Sequence, residues 1–102
     1  MTIYGLTELQ LQQLCELFGR YPQLERVVLY GSRAKGNFRT GSDVDITLMG
    51  KGLTKNDLNN LENEIDDLLL PYFFDISLFY KISNHDLTEH IERLCKVIYK
   101  IY

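Results

Sequence analysis

Two aspartates one residue apart, Asp43 and Asp45, and a third at Asp75 are the side chains of this sequence best suited to chemistry. Side chains alternate along a strand, so Asp43 and Asp45 point the same way with their Cα atoms about 7 Å apart, near enough for both carboxylates to meet one or two divalent cations. Grouping like charges raises at least one carboxyl pKa, and a bound Mg²⁺ reverses this by favouring the ionised forms. Oxygen-only ligands suit Mg²⁺ or Mn²⁺ better than Zn²⁺. Asp75 falls on the polar phase of another alternating run and is the candidate to complete the set.

Ahead of these acids lies a glycine-serine turn, Gly31-Ser32. A glycine there lets backbone N–H groups approach a phosphate closely, and the Ser32 hydroxyl adds a donor, an arrangement that fits a triphosphate. Arg33, Lys35 and Arg39 lie within residues 31–42, a stretch without an acid, whereas Asp57, Glu62, Glu64, Asp66 and Asp67 crowd a later segment. An anionic ligand is drawn to the first of these regions. Gly31 and Gly36 have the spacing of a P-loop, but Asn37-Phe38 stands where that loop needs Lys-Ser/Thr. A calcium loop opening at Asp43 fails too, because Leu48 occupies the position that must be glycine.

The elements that must carry these residues follow from the apolar periodicity. Arg26–Tyr30 is a short β-branched run ended by glycine, which reads as a central strand buried on both faces. Residues 43–49 alternate, with Val44, Ile46 and Leu48 on one face and Asp43, Asp45 and Thr47 on the other. Residues 73–80 alternate again, with Phe74, Ile76, Leu78 and Tyr80 opposite Asp75 and Ser77. Thr7 and Gln10 form a capping box before the apolar series Leu9, Leu11, Leu14, Leu17 and Phe18. Thr54 and Asp57 cap a second helix with the stripe Leu58, Leu61, Ile65, Leu68 and Leu69, which Pro71 ends. Ser83 and Asp86 offer a cap for a third helix through Leu87, Ile91 and Leu94, and the tail 96–102 favours a strand. This order predicts an α/β or α+β fold, a small mixed sheet with helices packed on it.

With 102 residues, 45% hydrophobic and 25% charged, the chain has the size and composition of one globular domain, residues 1–102. A net charge of -3 argues against a nucleic-acid module that works by bulk phosphate neutralisation. Cys15 and Cys95 lack metal-ligand or disulfide spacing and read as buried thiols. His85 and His90 are five apart and read as surface or capping residues. The start lacks a basic leader, and the densest apolar cluster, residues 68–74, is too short to span a bilayer, which places the expected site of action in the cytoplasm.

"GSRAKG", then "SDVDI", then "FDISL" together resemble the minimal nucleotidyltransferases of the polymerase-β-like superfamily. The resemblance implies that fold, and transfer of a nucleoside monophosphate, most often AMP from ATP, to a hydroxyl. It makes Asp43, Asp45 and Asp75 the catalytic, metal-holding acids for two Mg²⁺ ions, with Gly31 and Ser32 seating the β- and γ-phosphates. Arg33 or Lys35 would offset charge on the leaving group. It further implies a small all-helical partner of the HEPN type, in an antitoxin and toxin pair where a toxin tyrosine is the acceptor, with no membrane or direct nucleic-acid role. So small a chain leaves little surface for acceptor recognition, which favours a partner chain and leaves self-association open. The competing expectation is a non-catalytic nucleotide-binding module that neutralises its partner by occlusion.

Overall fold

The computed structural model describes residues 2–39 and 41–101. A short hairpin of β1 (Thr2–Ile3) and β2 (Leu6–Thr7) leads into α1 (Glu8–Phe18), followed by β3 (Arg26–Tyr30) and the helical turn α2 (Ser32–Lys35). Then come β4 (Val44–Met49), α3 (Lys55–Asp67), β5 (Phe74–Leu78), a 3₁₀ turn (Phe79–Lys81), α4 (His85–Leu94) and β6 (Lys96–Lys100). Four strands form a mixed sheet in the order β5-β4-β3-β6. β3 runs antiparallel to both β4 and β6, while β4 and β5 are parallel. A parallel pair cannot be closed by a tight turn, and α3 supplies the crossover.

Local chemistry sets the helix starts. The Thr7 hydroxyl accepts from the Gln10 amide while the Gln10 side chain accepts from the Thr7 amide, and Thr54 and Asp57 repeat the pattern at α3. α1 buries Leu14, Leu17 and Phe18, and α3 buries Leu61 and Ile65, in one cluster with Val27, Leu29, Val44, Ile46 and Leu48. Each such side chain contributes roughly 1.5 to 3 kcal/mol on burial, so this one face dominates the stability of the sheet. Val28 and Thr47 on the other face are also fully buried, as is Ile91 of α4. The central strand is therefore covered on both sides.

Several expectations are corrected. The β1–β2 hairpin carries no apolar alternation; its turn rests on Tyr4 and Gly5, both at positive φ. Leu9 and Leu69 lie outside the apolar stripes: they are 66% and 87% exposed, and Leu69 has left the helix at φ 55°. The third alternating run stops at Leu78, because Phe79–Lys81 turn back as 3₁₀ and leave Tyr80 exposed. Asn84, not Ser83, caps α4, accepting from the amides of Asp86 and Leu87. Cys15 and Cys95 are half-buried rather than buried, with Cys15 Sγ 3.2 Å from the carbonyl of Ile98. The tail forms an edge strand over Lys96–Lys100, and Tyr102 lies outside the described residues.

Candidate active site

The ladder aligns the acids. Tyr30 of β3 faces Asp45 of β4, and Asp45 faces Asp75 of β5, so the three side chains form a row across three strands on one face of the sheet. Two residues further along, the next row on that face is Val28, Thr47 and Ser77. There the Ser77 hydroxyl donates to Thr47 Oγ1 at 2.9 Å, and Thr47 Oγ1 donates to the Ser77 carbonyl at 3.2 Å. A slip of one residue between β4 and β5 would turn Asp75 to the opposite face, and this part-buried hydroxyl pair holds the register against it. Asp43 precedes β4 on the exposed loop, one strand period from Asp45.

Asp45 is half-buried, and its carboxyl is held above the ordinary carboxylate range by burial, then by the charges of Asp75 and Asp43, with Arg33 opposing. The Tyr30 hydroxyl is also raised, chiefly by burial and further by Asp75 and Asp45, with the nearby Ser77 hydroxyl opposing. The residue after Tyr30 must be glycine for two reasons. Gly31 has φ 77°, and a Cβ added there would lie 2.5 Å from Asp45 Oδ2. Gly31 accepts at 3.2 Å from the amide of Lys35, so the glycine-serine turn continues into α2, which Gly36 closes in the left-handed conformation. Ser32 is half-buried and Lys35 is exposed.

Arg33 does not reach toward solvent as a phosphate ligand should. It is 3% exposed, its guanidinium carbon 5.0 Å from the ring centres of both Phe38 and Tyr72. Nη1 donates to the Tyr4 carbonyl at 2.9 Å, Nη2 to the Ser42 carbonyl at 2.7 Å, and Nε to the Ser42 and Asp43 carbonyls at 3.2 and 3.3 Å. Its planar fork thus ties the loop that presents Asp43 to the N-terminal hairpin, a geometry that lysine cannot copy. The Tyr72 hydroxyl, donating to the Gly5 carbonyl at 3.1 Å, fastens the same corner. Of the expected site residues, the structure brings Gly31, Asp45 and Asp75 together and directs Arg33 away from them. Arg33 as a clamp, Tyr30 and the Thr47–Ser77 pair escaped sequence reasoning. Tyr30 shares the phase of Val28, and only the strand pairing reveals what it faces.

Among the described residues, no three His, Cys, Asp or Glu side chains close on one point as they stand. The three carboxylates nevertheless fit a hard divalent cation in donor type, and the mutual repulsion felt by Asp45 is what such an ion relieves.

Residues 12–101 match the family described as polymerase beta, nucleotidyltransferase. Among curated protein sequences, none matches the chain. The fold is similar to a crystal structure of a toxin-antitoxin with AMP-PNP, at TM-score 0.72 and 18% identity, covering 88% of this chain and 73% of that one. A toxin-antitoxin MntA-HpeT structure with two aspartate-to-glutamate substitutions gives TM-score 0.69 and 15% identity over 88% and 72% of the two chains. Another MntA-HpeT structure, with a tyrosine-to-alanine substitution, gives 0.67 and 20% over 91% and 72%.

Proposed function

Because the chain belongs to the polymerase beta nucleotidyltransferase family, we propose that it acts as one nucleotidyltransferase domain, moving AMP from ATP to a hydroxyl of a partner protein. The observation that carries this reading is the row in which Asp45 and Asp75 stand side by side, directly beneath the Gly31 turn. The partner we infer is a helical HEPN-type toxin with a tyrosine acceptor, so that the chain works as an antitoxin in the cytoplasm. The toxin-antitoxin structures that share its fold support that pairing.

Asp43, Asp45 and Asp75 would hold two Mg²⁺ ions, which when bound supply Lewis-acid stabilisation of the phosphate oxygens. The chain's own residues do the rest. Gly31 offers backbone room, and Ser32 donates to the β- and γ-phosphates. The acceptor oxygen bonds to the α-phosphorus as the bond from that phosphorus to the α,β-bridging oxygen breaks, and pyrophosphate leaves with the electron pair. Asp75, the most exposed acid of the row, takes the acceptor's proton and passes it to solvent. Lys35 offsets charge that builds on the pyrophosphate.

The test is to incubate the chain and its partner with labelled ATP and Mg²⁺, beside the Asp43→Asn, Asp45→Asn double variant. Label on the partner with wild type alone supports catalysis. A second reading, a binding module that neutralises by occlusion, draws on the carboxylates not closing on one point. Neutralisation by both proteins with no label would favour it.

A further inference from the structure

Resting on the nucleotidyltransferase reading, we propose that the acceptor protein docks on the outer edge of β5, where an extended acidic segment of it joins the sheet as an antiparallel strand. The ladder shows which groups that edge offers. The Val44 amide donates to the Phe73 carbonyl at 2.8 Å, and the parallel register pairs Val44 with Phe74 and Asp45 with Asp75. In such a pair alternate residues turn both backbone groups to the neighbour, so Phe73, Asp75 and Ser77 serve β4 while Phe74 and Ile76 direct N–H and C=O outward. Among the described residues no other strand pairs with them. The two edges of the sheet differ. β6 carries Lys96 and Lys100 at its ends and a register shift against β3 between Val27 and Val28, both of which discourage strand addition. β5 runs Phe-Asp-Ile-Ser-Leu in unbroken register with β4, and its one charge is Asp75.

A groove beside this edge specifies the occupant. Lys55 and Leu58 of α3, Ile76 and Leu78 of β5, and Lys81 and Ile82 beyond it line a cavity of about 330 Å³, to which no acid contributes. Both lysines are exposed and belong to no ion pair among the described residues. Apolar side chains beside two unpaired cations select a segment that mixes apolar and acidic residues. Alternation connects this groove to the chemistry, because Asp75 and Ser77 point to the face opposite Ile76 and Leu78. In an added strand, the residues across from Ile76 and Leu78 enter the groove, whereas the residue across from Asp75 stands on the face of the acids. Since Asp75 turns its backbone groups to β4, that residue takes the non-hydrogen-bonded position, with Cα atoms about 4.5 Å apart, where facing side chains come closest. A serine, threonine or tyrosine there presents its hydroxyl on the side where Asp75 acts.

The probe is a blocked peptide, Glu-Gln-Ile-Tyr-Ile-Gln-Glu, titrated into the isotope-labelled full chain and followed by amide NMR. Shifts at Phe74, Ile76 and Leu78 should exceed those at Val97 and Tyr99, and the outward amides of Phe74 and Ile76 should exchange more slowly when the peptide is bound. The Lys55→Glu, Lys81→Glu variant should bind roughly tenfold more weakly, with Lys55→Gln, Lys81→Gln falling between, which separates lost charge from lost folding. With ATP and Mg²⁺, label on the peptide tyrosine that the glutamate variant loses supports the acceptor role. Labelling of the partner protein without β5 shifts overturns the docking edge and leaves the nucleotidyltransferase reading standing. Equal affinity for a peptide with lysine in place of both glutamates also overturns it. Slower exchange at β5 with no label on peptide or partner overturns the acceptor role together with the nucleotidyltransferase reading.

Discussion

At the residue scale, Arg33 is the most consequential departure from expectation. Placed next to Ser32 in a basic stretch, it reads as a phosphate ligand, yet its donors serve three backbone carbonyls and its plane stacks between two rings. The signal lay in aromatic residues, Phe38 and Tyr72, too far apart in sequence to suggest a shared partner. Arg33→Lys should destabilise the fold by roughly 2 to 4 kcal/mol, since lysine keeps the charge but strands buried acceptors, and denaturant unfolding measures it. Asp45 makes the opposite point. Its raised pKa means the folded state binds protons more tightly than the unfolded chain, so stability is lost as pH rises through the folded value. Without metal, Asp45→Asn should therefore be more stable than wild type at neutral pH, by less than about 1 kcal/mol given solvent screening. The advantage should vanish below the ordinary carboxylate range and shrink when Mg²⁺ is added, as thermal melts at pH 7 and pH 4 would register.

At the scale of elements, the site depends on register. Thr47→Val removes the hydroxyl that both donates to and accepts from Ser77. We expect a cost of about 1 to 2 kcal/mol, and a loss of labelling activity that Thr47→Ser restores, with unfolding and rate measured on the same preparations. Gly31→Ala should abolish labelling while leaving most of the fold, because its Cβ collides with the Asp45 carboxylate. The strands and helices were legible because their periods of two and 3.6 are local: β3, β4, α1 and α3 stand where the apolar spacing puts them. That Asp45 turns away from Val44 and Ile46 is legible for the same reason. That Asp75 joins Asp45 is a long-range fact, set by the parallel pairing of β4 with β5. The hairpin and the end of β5 were illegible because positive-φ turns and a 3₁₀ reversal leave no periodic trace.

At the scale of the whole molecule, the sheet has two edges free among the described residues, β5 and β6. β6 presents the half-exposed Val97 between Lys96 and Lys100, the flanking charges that discourage edge-to-edge association. Lys100→Val should accordingly shift the chain toward larger species with rising concentration, as size-exclusion chromatography would reveal. No helix among the described residues is long and apolar enough to cross a membrane. β5 is held by β4 alone on its ladder side. In heavy water its amides should trade their protons sooner than those of β3, which has a neighbour on each flank. The third acid therefore rides on the part of the molecule that opens first, and a brief fraying of one outer strand, well short of unfolding, would suffice to pause the chemistry.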